Sequence, residues 1–389
     1  MDMIGFIGMG NMGTAMLKGA KRTFDGSRII FHRKSVDKMK ELAEEEKVNY
    51  AMSNSEVVEK SKYIILAIKP QMFEKVIDEI NDSLDNDKVI ISLAPGFTIT
   101  QLKEKEDLIF TCPFEEGLKE FKDTGIDCRV ANFNHPDEQL VEAFKGGDTI
   151  LIISAPFVGA KRQAAHKNAI DAAIKAGVKK VVYTSLVNAR DVENPSIEKI
   201  DHAWTEEYIE STELDYIFLR NSQYAEAMIT SYLTSNGNLL SCQGDGKMAY
   251  ISRLDCAMAA MYALTKDDMH KQVLNINGPE LLTLHEFAAI GNRETGMDVK
   301  VVDVSEEEVY AGFDAIGVPR TTDGTFKDGS PAPYSSDGMV TFARAIRIGK
   351  MDNFTDDFEK LTGVKPRTVA YMFANNSEYG VGARNSTDD

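Results

Sequence analysis

Residues 4–13 of the chain read IGFIGMGNMG. Gly8, Gly10 and Gly13 stand in the spacing GxGxxG, after the apolar run Met3–Ile7 and before a helical pattern over Thr14–Thr23. Strand, glycine turn and helix in that order predict a dinucleotide-binding loop, the other reading being a structural glycine turn. Gly8 permits the tight turn, Gly10 lets a pyrophosphate approach the backbone, and Gly13 allows close helix–strand packing. The helix start offers N–H groups and the positive end of its dipole to the phosphates.

Outward from this loop, apolar runs at Arg28–Phe31, Tyr63–Ile68 and Val89–Leu93 alternate with helical patterns at Val36–Glu46 and Phe73–Leu84. A second series follows from Leu108, with runs at Thr149–Ile153, Lys180–Tyr183 and Tyr216–Leu219. Between them a helix is expected over Val158–Ala176, closed by Gly177. Such alternation predicts the α/β class, with Rossmann-type doubly wound parallel sheets. Gly244–Lys247 is expected to turn a hairpin, Thr321–Asp337 to form a surface loop, and the tail from about residue 374 to 389 to be disordered.

The end of the second strand separates the two nicotinamide cofactors. An acidic residue there binds the ribose hydroxyls of NAD, whereas cations accept the extra phosphate of NADP. The strand runs into His32-Arg33-Lys34-Ser35, two cations and a hydroxyl with no acid. NADP (as NADPH) is the expected cofactor.

The 389 residues suffice for two cores, and the net charge of −17 excludes a phosphate-backbone partner built on clustered Lys and Arg. No nucleic acid and no membrane surface is expected as partner. Cys112, Cys128, Cys242 and Cys256 form no CxxC pair and have no histidine at ligand spacing, so four free thiols in a reducing cytoplasm are expected, and no metal. No run reaches the roughly 18 apolar residues of a membrane helix.

Residues 1–105 resemble the N-terminal domain of pyrroline-5-carboxylate reductase. The likeness rests on Ile4–Gly13, on Ala67-Ile68-Lys69-Pro70-Gln71, and on Ile91–Ile99 (ISLAPGFTI) followed by Gln101-Leu102. It implies that Gly8, Gly10, Asn11, Met12 and Gly13 hold the pyrophosphate. Arg33, Lys34 and Ser35 would then take the adenosine end, with Ala67, Lys69 and Pro70 beside the nicotinamide. The helical domain that shapes the substrate site in that family is missing, and the strand Leu108–Cys112 ends in Cys-Pro-Phe-Glu-Glu rather than Met-Pro-Asn-Thr-Pro.

Residues 106–373 instead resemble the NmrA-like atypical short-chain dehydrogenases, which include quinone reductases and triphenylmethane reductase. The matching stretches are Gly125–Phe133, Leu151–Pro156, His166–Ser185, Leu219–Tyr224, Gly244–Lys247 with Arg253 and Asp255, Asn277-Gly278-Pro279 and Leu361–Gly363. The glycine loop and first strand of that family have no counterpart. The chain thus reads as two fused and partly truncated nucleotide-binding folds. In one arrangement the first domain binds the cofactor and the second supplies the substrate face. In the other, Val89–Leu93 with Ala94-Pro95-Gly96 replaces the missing first strand of the second sheet. The first is preferred, because the helix expected after that strand, Thr100–Glu106, is short and acidic.

No Tyr-x-x-x-Lys follows Thr184-Ser185. His202, four residues before Glu206, is either a proton donor or an exposed helical His–Glu pair. The resemblance places Asn221 and Tyr224 in the substrate cleft, where they would hydrogen-bond a carbonyl; pinning a loop is the other reading. His166 and Asn168 are expected to make structural hydrogen bonds. The expected function is hydride transfer from NADPH to a small acceptor, a quinone or an activated carbonyl or imine. The alternatives are a non-catalytic NADP-binding sensor with a protein partner and a pyrroline-5-carboxylate-type imine reductase. An oligomer is compatible with either.

Overall fold

The computed structural model describes residues 3–68, 73–84, 88–92, 108–121, 126–266, 268–325, 332 and 334–379. The chain divides into two compact units, Met1–Leu108 and Ile109–Asp389.

The first unit is a five-stranded parallel sheet in the order β3-β2-β1-β4-β5, made of Ile4–Ile7 (β1), Ile29–His32 (β2), Asn49–Tyr50 (β3), Tyr63–Leu66 (β4) and Val89–Ser92 (β5). Helices Asn11–Ala20 (α1), Val36–Glu46 (α2), Asn54–Lys60 (α3) and Phe73–Ile80 (α4) connect them. Both faces are apolar. Ile4 and Phe6 pack with Leu17, Phe31 and Met39, while Ile7 packs with Ile30, Val57, Ile64 and Leu66. Side chains that alternate along a strand point to opposite faces, so a sheet covered on both sides needs apolar residues at every position. Met9 and Met16 belong to the first of these cores.

The second unit carries Ile109–Cys112 (β6), Asp127–Val130 (β7), Thr149–Ile152 (β8), Lys180–Leu186 (β9), Asp215–Asn221 (β10), Asn238–Ser241 (β11), Lys247–Met248 (β12) and Gln272–Ile276 (β13). Its parallel strands fall into two pieces. β6 pairs with β7, and β8, β9, β10 and β13 form a four-stranded sheet in that order. In a doubly wound sheet the first strand lies between the second and the fourth. In chain order β6 and β8 correspond to the second and fourth strands of the Rossmann arrangement, and among the described residues no strand pairs with both. β5 pairs with β4 in the first unit, so Val89–Ser92 does not replace the missing strand; the segment that follows it lies outside the described residues.

Helix Asp137–Phe144 (α5) packs on Ala160–Ala176 (α6). Leu140 and Phe144 join Ile152, Ile170, Tyr183 and Phe218 in one core below the sheet. Val182, Ile217 and Leu219 face a second core, with Cys256, Ala259 and Phe358. Helices Glu198–Glu210 (α7) and Arg253–Leu264 (α9) pack against β9 and β10, and Ala225–Leu233 (α8) packs against later helices.

Several local expectations change. α6 begins at Ala160 rather than Val158, because Gly159 precedes it at φ +67°, ψ −146°, a conformation essentially restricted to glycine. It ends on Gly177 at φ +92°, as expected. The Gly244–Lys247 turn does not close a hairpin: β11 pairs with Lys300–Asp303 and β12 with Leu282–Thr283. A turn signal identifies a reversal, not which strands it joins. Order also extends into the expected tail, since Tyr379 is buried in the core with Tyr232, Phe287 and Phe373; residues 380–389 lie outside the described set. Of the loop Thr321–Asp337, residues 326–331 and 333 lie outside it too, and a helix begins at Ser336.

Candidate functional site

The glycine loop fits a dinucleotide by its space. Gly8 sits at φ +92°, and a Cβ there would meet the Ala67 carbonyl oxygen at 2.4 Å. A Cβ on Gly13 would come within 2.0 Å of the Gly8 carbonyl oxygen. Gly10 differs: a Cβ there meets nothing within 4 Å, so its face is open. Gly10 is also the N-cap of α1, with no side-chain cap and no acid in the first turn. The first N–H groups of the helix are therefore left for an external anion. Tight packing at Gly8 and Gly13 with open space at Gly10 is the pattern a pyrophosphate requires.

β2 runs one residue further than expected, through His32, whose Nδ1 lies 3.1 Å from the Ala51 carbonyl oxygen. Arg33 is half-buried, and Lys34 and Ser35 are exposed. Among the described residues neither Arg33 nor Lys34 has a carboxylate partner, and the Ser35 hydroxyl does not cap α2. Two uncommitted cations and a free hydroxyl thus stand at the end of β2. Ala67 is half-buried and donates its N–H to the Ile7 carbonyl oxygen at 2.8 Å, which holds it against the loop. Lys69 and Pro70 lie outside the described residues, as do the side chains of Asn11 and Met12.

In the second unit the carboxyl ends of β9 and β10 carry two polar layers. Asn221 ends β10 and is 4% exposed; its Nδ2 donates to the Tyr224 hydroxyl at 3.3 Å. Tyr224 follows on a short extended segment bridged to Ile251. Burial pushes its phenol up to about 12, so it is protonated at neutral pH. The Asn221 Nδ2 occupies a lone pair on the hydroxyl oxygen, which leaves the hydroxyl hydrogen free to donate. Asn221 Oδ1 is buried and has no partner among the described residues.

His202 is not an exposed partner of Glu206. It is 9% exposed, its Nδ1 lies 2.9 Å from the Tyr183 hydroxyl, and burial holds its pKa well below the ordinary range. A neutral imidazole tied to a core tyrosine is not poised to protonate a ligand. Glu206, fully buried, accepts from the Ser185 hydroxyl at 2.6 Å and takes the Arg220 guanidinium in two bonds, Nε at 2.9 Å and Nη2 at 2.6 Å. Arg190 adds an ion pair at 3.2 Å. This cluster ties β9, β10 and α7 together. The sequence sets Glu206 beside His202 and does not show its pairing with Ser185 and Arg220, which lie 21 and 14 residues away along the chain. His166 and Asn168 are structural as expected: His166 Nε2 accepts the Ala155 N–H at 2.9 Å, and Asn168 donates to the carbonyl oxygens of Phe133 and His135.

Among the described residues no group of three or more His, Cys, Asp or Glu is placed to hold a metal, and no helix is long and apolar enough to cross a membrane.

Two family models match in tandem. Residues 3–96 match a family described as NADP oxidoreductase coenzyme F420-dependent, and residues 99–267 match an NAD(P)H-binding family. Quinone oxidoreductase 2 of Escherichia coli is 32% identical over 197 residues, which is 50% of this chain and 68% of that protein. Pyrroline-5-carboxylate reductase of Escherichia coli is 40% identical over 101 residues, 25% of this chain and 38% of that protein. The chain thus spans under two fifths of the reductase's length. Among solved structures, the NADPH complex of the Escherichia coli NADPH-dependent quinone oxidoreductase superposes with a TM-score of 0.58 at 22% identity, covering 96% of this chain and 100% of that one. The Citrobacter sp. triphenylmethane reductase gives a TM-score of 0.58 at 21% identity, covering 96% and 99%. The chain therefore belongs to the NmrA-like, NAD(P)H-binding oxidoreductase family of quinone oxidoreductase 2, and carries ahead of that domain a glycine-loop domain like that of pyrroline-5-carboxylate reductase.

Proposed function

We propose that the protein is an NADPH-dependent oxidoreductase acting on a small conjugated acceptor, with a quinone the best candidate. The observation that carries this reading is the open face of Gly10, flanked by glycines that tolerate no side chain, together with the uncommitted Arg33 and Lys34. A bound NADPH supplies hydride, which leaves NADP+ and a reduced acceptor that takes up one proton. The first unit's loop binds the pyrophosphate, and Arg33, Lys34 and Ser35 take the adenosine phosphate that distinguishes NADPH from NADH. In the second unit Tyr224 donates its free hydroxyl hydrogen to the acceptor's carbonyl oxygen, and Asn221 fixes the direction of that hydroxyl.

A non-catalytic, cofactor-sensing role is the second reading. It is favoured by the engagement of Ser185 with Glu206 and of Tyr183 with His202, which leaves neither hydroxyl for proton delivery. In that case the partner is another protein. Imine reduction of the pyrroline-5-carboxylate type has less support, since only the cofactor domain of that reductase is matched.

NADPH fluorescence titration of the purified chain, repeated with NADH, tests the cofactor. Steady-state NADPH oxidation with a small quinone and with pyrroline-5-carboxylate tests the reaction. Tight NADPH binding with no turnover of either acceptor would leave the sensor.

A further inference from the structure

Tyr224 and Ile251 form an isolated parallel bridge, in which Ala225 donates to the Ile251 carbonyl oxygen at 2.8 Å and Ile251 donates to that of Gln223 at 3.1 Å. The bridge sets the start of α9 beside Tyr224. Arg253, the first residue of α9, is exposed, and its guanidinium carbon lies 5.4 Å from the centroid of the Tyr224 ring.

The carboxylates of this corner are otherwise engaged. Asp255 accepts from the Ser252 hydroxyl at 2.8 Å and from the Arg367 N–H at 2.9 Å, and it is ion-paired to the Arg367 guanidinium. Glu226, 4% exposed, accepts the Arg253 backbone N–H at 2.8 Å through Oε1, and burial raises its pKa, which disfavours its charge. Its Oε2 is buried and has no hydrogen-bond partner among the described residues. Among the described residues the Arg253 guanidinium itself has no carboxylate within ion-pair distance. Its charge is felt by Glu226 and Tyr224, yet the guanidinium is held by an aromatic face rather than an ion pair, one ring away from the hydroxyl assigned to the acceptor.

We infer that the small molecule met by the Tyr224 hydroxyl carries an anionic group, a carboxylate or sulfonate, which the Arg253 guanidinium takes while that hydroxyl, oriented by Asn221, holds its other polar end. The inference deepens the proposed reaction and rests on it for the role of the Tyr224 hydroxyl. A stacked guanidinium is already oriented, so it loses little freedom on forming a two-point hydrogen bond to a planar anion. An exposed cation is screened by water, so the preference is moderate, roughly three- to tenfold.

The test uses a redox-inert pair, 2-naphthoate and 2-naphthalenemethanol, titrated calorimetrically into the full chain with NADP+ present. The expected result is naphthoate binding at least about threefold tighter than the alcohol. Arg253→Gln should bring the two within twofold while leaving alcohol binding unchanged. Arg253→Lys should restore part of the preference, and raising the salt from about 50 to 500 mM should narrow it. Equal binding of the two ligands by the parent chain, a preference that survives in Arg253→Gln, or no binding of either would overturn the inference. Turnover is not read here. If naphthoate binding depends on Arg253 but no quinone oxidises NADPH, the anion site stands and the proposed reaction fails.

Discussion

The Tyr183 hydroxyl lies 2.9 Å from Nδ1 of His202, and both side chains are buried. Beside them His166, also buried, accepts the Ala155 N–H at Nε2 and therefore carries its own hydrogen on Nδ1, which faces Thr205 at 2.9 Å. Burial lowers the pKa of both histidines, that of His166 to about 3.

Acid should therefore unfold the second unit from above the usual carboxylate range. The unfolded chain protonates histidine near pH 6.5, while the folded one resists, so stability is full above 6.5 and lost as the pH falls toward the folded pKa. For a shift from 6.5 to about 3 the loss between pH 7 and 5 is about 2 kcal/mol for His166. Urea unfolding at pH 7, 6 and 5 measures it. His166→Gln should flatten the slope by the loss assigned to His166, and His202, also lowered by burial, should keep part of the slope in place; a slope unchanged in this variant would assign the loss to other groups.

Glycine substitutions in the first loop should separate folding from binding. Gly10→Val places its side chain in open space, so the melting temperature should hold within a few degrees while NADPH binding is lost. Gly8→Ala adds a Cβ 2.4 Å from the Ala67 carbonyl oxygen at φ +92°, so it should cost on the order of 1–3 kcal/mol of stability. Thermal melts beside NADPH titrations distinguish the two. A Gly10→Val variant that binds NADPH like the parent would overturn the loop assignment.

This contrast also shows what was legible in the sequence. The three glycines carry stereochemical reasons at fixed spacing, and the missing first strand of the second sheet showed as a missing glycine loop before Leu108. The partners of Glu206 were not legible. Ser185 and Arg220 are cross-strand neighbours on β9 and β10, and α7 brings the carboxylate to them across 21 and 14 residues of chain. Tertiary pairing of that kind leaves no periodic trace. His202 was misjudged for a related reason: four-residue spacing to Glu206 puts the two on one face of a helix, but not which face is buried.

Glu206→Gln should then be costly. Among the described residues it removes the one carboxylate paired with Arg220, which is left without a counter-ion, while Arg190 keeps its pair with Glu210. Breaking a buried pair from one side costs about 3–5 kcal/mol. Chemical denaturation reads it, and a loss below about 1 kcal/mol would mean the pair is wetter than the full burial of Glu206 indicates.

Cofactor choice should follow the end of β2. Replacing Arg33 and Lys34 together by Ala should raise the Kd for NADPH by roughly tenfold or more and leave that for NADH nearly unchanged, since only NADPH carries the extra phosphate. Parallel fluorescence titrations decide. Equal losses for both cofactors would indicate damage to the loop rather than loss of a phosphate contact.

The acceptor side comes down to one hydroxyl. Tyr224 is protonated up to about pH 12 and receives the Asn221 amide on its oxygen, so its hydrogen is directed away from Asn221. If that hydrogen meets the acceptor's carbonyl oxygen as negative charge develops, Tyr224→Phe should lower kcat with a small quinone by about ten- to a hundredfold, with a lesser change in KM. Asn221→Ala frees the hydroxyl to rotate and should give a smaller loss in the same parameter. His202→Gln, by contrast, should change stability more than kcat, because its ring faces Tyr183. Quinone turnover is expected to exceed pyrroline-5-carboxylate turnover in the parent chain. A Tyr224→Phe variant with unchanged kcat would remove the hydroxyl from the reaction, and efficient pyrroline-5-carboxylate reduction would return the chemistry to the reductase that the first unit resembles.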